Sequence, residues 1–316
     1  MAHKLLEVEI HPELRLFAKR LPAFTFSARN LWLLRLLLSL PRLGRPPADI
    51  HIENRFIPSA DSKAKLRLRI YQPKLQTARA PVLLWMHGGG LVLGKPEIDE
   101  PNCIELVRAL GLVIVSVDYR VAPEHPFPTP LEDCYTALKW VAEQAVELNV
   151  DAARLAIGGE SAGGGLAASL AHLAHDRGEV KPIFQLLVYP MLDDRSAARA
   201  DFAHDDFLVW NQTSNRFGWE AYLRAQPGAA QLPAYAVPAR RENLSGLPPA
   251  WLGVGTLDMF HDECVAYAQR LQAAGVACEC YVVPGAFHGF DTFAPQSQVV
   301  RAFMQAQVDA LKQGLF

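Results

Sequence analysis

The sequence predicts an α/β fold: a mostly parallel eight-stranded sheet flanked by helices, with a helical cap. Three observations point there. Two period-two stretches lie near residue 50. Continuous apolar runs alternate with helical segments after them. A G-x-S-x-G stretch stands between one such run and an alanine-rich helix. A chain of 316 residues, 50% hydrophobic and 20% charged, can bury one large core. With 31 basic against 33 acidic residues and no block of either sign, it carries no electrostatic footprint for nucleic acid.

Residues 1–45 read as two helical pieces separated near Leu21-Pro22. The second, Leu31 to Leu40, is broken by Arg35 and stopped by Pro41, short of the roughly 20 residues a membrane span requires. A helix apolar on nearly all sides must be covered, so residues 1–45 are expected to form the N-terminal part of the cap over a main domain at 46–316. The other reading of this run is an interface or a membrane surface. The N-terminus mixes charges with apolar residues and lacks a clean apolar core before a cleavage site, so a cytoplasmic location is expected.

From Ile50 the pattern alternates: Ile50 to Ile57 and Lys65 to Tyr71 suit half-buried antiparallel strands. Val82 to Met86 and Leu112 to Val117 are continuous apolar runs that suit strands covered on both faces. Helices are expected near 97–110, 129–149 and 162–176. Each leads to another strand: Arg154 to Gly158, Phe184 to Tyr189, Trp251 to Gly255 and Cys280 to Val283, with a closing helix near 296–312. The rhythm lapses at 193–247, where aromatic residues mark a folded excursion on the ligand-binding side of the sheet. The five cysteines, with no C-x-x-C spacing, read as buried free thiols. Cys278 and Cys280 share a strand face but have no further metal ligand nearby.

The chemistry centres on Gly159-Glu160-Ser161-Ala162-Gly163. A serine on a sharp strand-to-helix turn sits in strained backbone, so its neighbours must lack side chains, and the following helix aims its positive end at an oxyanion beside it. Gly163-x-Gly165-x-x-Ala168 also fits a loose dinucleotide fingerprint, and small residues at a strand-helix junction also suit simple close packing, so further residues have to decide. Serine needs a base held by a carboxylate. Of ten histidines, His288 stands in a loop just after the last strand, whereas His172 and His175 on the elbow helix face away. Asp258 ends the strand Trp251 to Gly255 and is the natural carboxylate, with Asp262 the second candidate. His87-Gly88-Gly89-Gly90 follows the third strand, where glycine N–H groups can approach a tetrahedral intermediate. Gly88, Gly89 and Ala162 are the expected oxyanion donors.

These motifs resemble the hormone-sensitive-lipase-like family of α/β-hydrolase carboxylesterases, from about Val82 to the C-terminus. The likeness rests on HGGG at 87–90, the segment Val117 to Pro128, GESAGG at 159–164, Asp258 and His288-Gly289-Phe290. It implies an α/β-hydrolase fold, a serine carboxylesterase acting on a small-molecule ester, no cofactor, and a preference for short-to-medium acyl groups. It leaves the oligomeric state open. It also implies that Asp118, Arg120 and Glu124 form an architectural brace and that Glu160 supports the site. Leu91 and Met259-Phe260 depart from the family's aromatic and proline-leucine residues and bear on pocket shape. Rival activities on the same fold are a ligand-binding receptor, or an amidase or lactonase using the same triad.

Overall fold

A computed structural model describes residues 9–21, 25–40, 47–76, 78–202 and 207–316. Its sheet has eight strands in the order β1-β2-β4-β3-β5-β6-β7-β8. β1 (Ile50–Pro58) and β2 (Lys65–Pro73) pair antiparallel from Ile50↔Pro73 to Pro58↔Lys65, and β2 pairs antiparallel with β4 (Val113–Asp118). The pairs beyond are parallel and join β3 (Ala80–Met86), β5 (Val150–Glu160), β6 (Phe184–Val188), β7 (Ala250–Gly255) and β8 (Cys278–Val283). Every residue of β3 is buried, as its unbroken apolar run requires of a strand covered on both faces.

The helices are α1 (Arg15–Ala18), α2 (Leu31–Ser39), α3 (Glu100–Leu110), α4 (Thr129–Glu143), α5 (Ala162–Arg177), α6 (Gln212–Leu223), α7 (His261–Ala273), α8 (Phe290–Phe293) and α9 (Gln298–Leu315). α5 packs against α4 and covers β3, β5 and β6, while α9 packs against α3 and covers β5 to β8. Two boundaries differ from expectation. α4 stops at Glu143, and β5 begins at Val150 rather than Arg154, because Val150 already pairs with Ala80 and the polar stretch Asp151 to Arg154 is carried as a register shift before Leu155 pairs with Val82. The helix expected from residue 97 starts at Glu100, after a separate turn at Pro96–Ile98. Prolines at 96 and 101 have no N–H to continue a ladder.

The brace is distributed among several partners. Arg67 pairs with Asp118 at 2.9 Å, Arg120 with both Asp133 and Asp61, and Glu124 with Arg35 at 2.8 Å.

α2 corrects one expectation. Its inward side holds Leu31, Leu34, Leu38 and Arg35, while Trp32, Leu33, Leu36 and Leu37 are exposed. Arg35 decides the orientation, because its guanidinium donates to the Val92 carbonyl (2.9 and 2.6 Å) and the Ala122 carbonyl (2.7 Å). Among the described residues, one side of the run is therefore covered and the other is exposed. Residues 1–8 and 203–206, on which parts of the expected first helix and of the aromatic excursion fall, including His204, lie outside the described residues.

The excursion lies between β6 and β7 and contains α6, whose N-cap Asn211 accepts the Ser214 N–H. It meets the N-terminal segment, for the Phe26 N–H donates to Ser214 Oγ at 2.9 Å and the Phe26 ring lies 5.1 Å from Trp210. Trp210 in turn lies over the glycine loop, where a Cβ on Gly90 would come within 2.0 Å of its ring.

Candidate active site

Ser161 joins β5 to α5 with φ 55° and ψ −120°, a backbone region that a residue with a side chain occupies at a cost. Its N–H donates to the Val188 carbonyl (2.9 Å), and its carbonyl accepts from Gly165 and Met191 (3.0 Å each), so the turn is held from both sides. A Cβ on Gly163 would lie 2.0 Å from the Met86 carbonyl oxygen, and one on Gly159 2.5 Å from it. Close approach to β3 is why these positions lack side chains.

The structure brings Ser161, His288 and Asp258 together. His288 Nε2 lies 2.9 Å from Ser161 Oγ, and Nδ1 lies 2.8 Å from Asp258 Oδ2. The other oxygen, Oδ1, accepts the Phe260 N–H at 2.8 Å, which fixes the carboxylate plane. All three residues are buried, and Tyr189 and Phe260 meet the imidazole edge-on at 4.9 and 5.1 Å between centroids. A proton can pass from serine to histidine in this geometry while the carboxylate holds the ring and balances its charge. Asp262 is elsewhere: it is exposed, its carboxylate is held by His261 and Arg199, and both keep its pKa low. His172 lies on α5 beside Tyr267, at 2.8 Å.

The glycine loop is fastened from below. His87 stacks on Tyr119 (4.2 Å, 11°), whose hydroxyl donates to the His87 carbonyl at 2.7 Å. The Gly89 carbonyl accepts from Val92 and Leu93. Among the described residues, no acceptor within the chain takes the N–H groups of Gly89, Gly90 or Ala162. Amides without a partner beside a buried serine are able to donate to an anion. Gly88 differs, because its N–H faces the Asp99 carboxyl. Gly90 was not among the expected donors. A run of three glycines does not tell which amides are free, since that depends on a distant partner, Asp99.

Behind the serine lies a buried acid cluster of which only Glu160 was legible. The Tyr189 hydroxyl is 3.2 Å from Glu160 Oε2 and 2.9 Å from Asp291 Oδ1, and the Trp85 indole N–H donates to Asp99 Oδ2 at 2.8 Å. Burial pushes the Glu160 carboxyl well above its usual range, reinforced by Asp99, so it keeps its proton. No local motif announces Asp99, Asp291 or Tyr189, which converge only in the fold. No group of three or more His, Cys, Asp or Glu among the described residues could hold a metal ion, and no described helix is long and apolar enough to cross a membrane. Cys103, Cys134 and Cys264 are buried, whereas Cys278 and Cys280 on the edge strand β8 are only half-buried, contrary to expectation.

An eight-stranded, mostly parallel sheet with a strained serine after its fifth strand defines the class of α/β hydrolases. A family profile described as the α/β hydrolase fold matches residues 83–292. The carboxylesterase NlhH of Mycobacterium tuberculosis is 34% identical over 293 residues, 90% of each chain. The esterase LipI of the same organism is 36% identical over 258 residues, 79% of each chain. The structure of a bacterial heroin esterase superposes with a TM-score of 0.89 at 34% identity, covering 98% of this chain and 99% of that one. The chain belongs to the hormone-sensitive-lipase-like family of α/β-hydrolase carboxylesterases.

Proposed function

We propose that this carboxylic ester hydrolase cleaves short-to-medium acyl esters through an acyl-enzyme formed on Ser161. The hydrogen-bonded chain Ser161–His288–Asp258 carries the reading. His288 Nε2 takes the hydroxyl proton as Oγ attacks the ester carbonyl carbon, and Asp258 stabilises the imidazolium. The oxyanion is met by the N–H groups of Ala162 and Gly89, with Gly90 beside them. Gly88 is the third expected donor, and its N–H faces the Asp99 carboxyl. His288 then passes its proton to the leaving alkoxide. Water, deprotonated by the same nitrogen, releases the acid and restores the serine.

Residues 1–45 and 193–247 act as the cap in this reading. Their support is the Phe26–Trp210–Gly90 stack, which crowds the glycine loop with apolar rings and favours smaller acyl groups. A cytoplasmic location is part of the same reading, and cell fractionation tests it.

The deciding experiment is hydrolysis of p-nitrophenyl esters across a series of acyl lengths, with Ser161→Ala in parallel. Wild type should turn over the shorter esters, and the variant should lose about three or more decades of kcat. Inertness of the wild type toward every ester, with stoichiometric binding, would make the protein a receptor. Turnover of amides or lactones alone would move the same residues to another leaving group, and a maximum on long-chain emulsified esters would overturn the acyl preference.

A further inference from the structure

The two halves of the site are fastened separately. The Ser161 turn is held by Val188 and Met191 at the end of β6. The His288 loop is held on the Asp258 side: the Leu257 N–H donates to the Ala286 carbonyl at 2.9 Å, the Gly285 N–H donates to Thr256 Oγ1 at 2.8 Å, and His288 Nδ1 meets Asp258. Gly285 and Gly289, with φ 70° and 68°, place left-handed backbone on either side of the histidine. None of these bonds sets the distance from the imidazole to Ser161.

Tyr189 spans the two halves. Its hydroxyl lies 3.2 Å from Oε2 of Glu160, the residue before Ser161, and 2.9 Å from Oδ1 of Asp291, three residues after His288. Besides the contact between Ser161 Oγ and His288 Nε2, the hydrogen bonds that join these segments among the described residues run through that hydroxyl. The Asn102 amide stands beside it, 3.4 Å from Glu160 Oε2 and facing Asp291. A phenol hydroxyl donates once and accepts as well, so it can join two carboxyls when one of them keeps its proton, as the buried Glu160 does.

The same side chain touches the imidazole. Its ring meets His288 edge-on at 4.9 Å between centroids and stacks on Phe303 of α9 at 6.4 Å and 11°. Tyr189 is buried, its N–H donates to the Gly253 carbonyl at 2.7 Å, and its φ of 33° is left-handed. A residue with a large side chain keeps such a backbone only where its surroundings fix it, and outliers of this kind gather at functional sites.

We propose that Tyr189 is a positioning residue: its hydroxyl pins the Glu160–Ser161 turn to the His288–Asp291 segment while its ring walls the imidazole, which keeps Nε2 within reach of Oγ. The proposal rests on the triad reading above. It gives Tyr189 no proton to transfer, because burial pushes the hydroxyl pKa up and both carboxyls occupy it.

Steady-state hydrolysis of p-nitrophenyl acetate tests it, with Tyr189→Phe, Asp291→Ala, the double variant and Ser161→Ala beside wild type. Phenylalanine keeps the ring and removes only the hydroxyl. Because His288 serves both acylation and deacylation, kcat should fall about tenfold or more in Tyr189→Phe while KM stays within about twofold. Asp291→Ala removes the other end of the same bridge and should cost a similar factor. The double variant should lose no more than about twofold beyond either single one, since the bridge breaks only once. A hydroxyl that only supports packing would lower the thermal midpoint and leave kcat within about threefold of wild type, which would overturn the proposal. So would a loss confined to KM, or losses that multiply in the double variant. If Tyr189→Phe does not fold, Asp291→Ala decides with Tyr189 in place: a kcat about tenfold lower supports the bridge, and an unchanged one overturns it. Ser161→Ala separates the two readings. If it is inert while Tyr189→Phe matches wild type, only the bridge falls, and if it turns over like wild type, the proposed function falls.

Discussion

Two buried histidines of this chain each sit beside a hydroxyl: His288 Nε2 is 2.9 Å from Ser161 Oγ, and His172 Nε2 is 2.8 Å from the Tyr267 hydroxyl. The other nitrogen separates them. His288 Nδ1 meets Asp258, whereas His172 Nδ1 has no hydrogen-bond partner. Burial, with the nearby Arg241 cation adding to it, pushes His172 down to about 3, so it is neutral and structural at physiological pH. A hydroxyl and burial do not make a general base. A buried carboxylate that can support the positive ring does.

The largest expected effect tests that distinction directly. Asp258→Asn keeps the shape of the side chain but removes its charge. It should lower kcat/KM for a p-nitrophenyl ester by about three to four decades at neutral pH. Activity within about tenfold of wild type would erase the difference between the two histidines.

His172→Phe should do the reverse, leaving kcat within about threefold while costing about 1–3 kcal/mol in denaturant unfolding. It should also alter the pH dependence. His172 titrates at about 3 when folded, against an ordinary 6.5, so its contribution is full above 6.5 and is lost as pH falls toward 3. The variant should be less sensitive to acid across that window, and an unchanged profile would contradict a buried neutral ring.

Glu160 sharpens the comparison with the opposite sign. Its folded carboxyl titrates well above the ordinary 4.5, so its contribution is full below 4.5 and is lost as pH rises toward the folded value. Glu160→Gln, which supplies a neutral group permanently, should flatten the alkaline side of the stability profile by about 1 kcal/mol or more. Equal slopes for variant and wild type would mean that Glu160 is ionised in the folded protein.

The groups that meet at Ser161 were readable because each stands at a strand end, where local pattern and topology agree. Apolar runs announced β5, β7 and β8, and Ser161, Asp258 and His288 follow them in chain order. Asp258 was separable from Asp262 by that placement, and the structure gives Asp262 to Arg199 and His261. What could not be read depended on distant partners. Among the amides of the glycine loop, Gly88 is set apart by Asp99, which is distant in sequence. The orientation of α2 is decided by carbonyls at 92 and 122, because a helix apolar on nearly every side carries no pattern to say which side faces in. The start of β5 was hidden by polar residues at an exposed strand end.

The backbone of Ser161 has a consequence for the heat resistance of the whole molecule. At φ 55° and ψ −120° a glycine would sit without strain, whereas any side chain costs of order 1–3 kcal/mol. Ser161→Ala and Ser161→Gly both lack the hydroxyl, so their difference in unfolding free energy reports that strain, set against the extra chain entropy of unfolded glycine. The glycine variant should be the more stable by about 1–2 kcal/mol. At this one residue, selection for thermal endurance and selection for turnover pull in opposite directions.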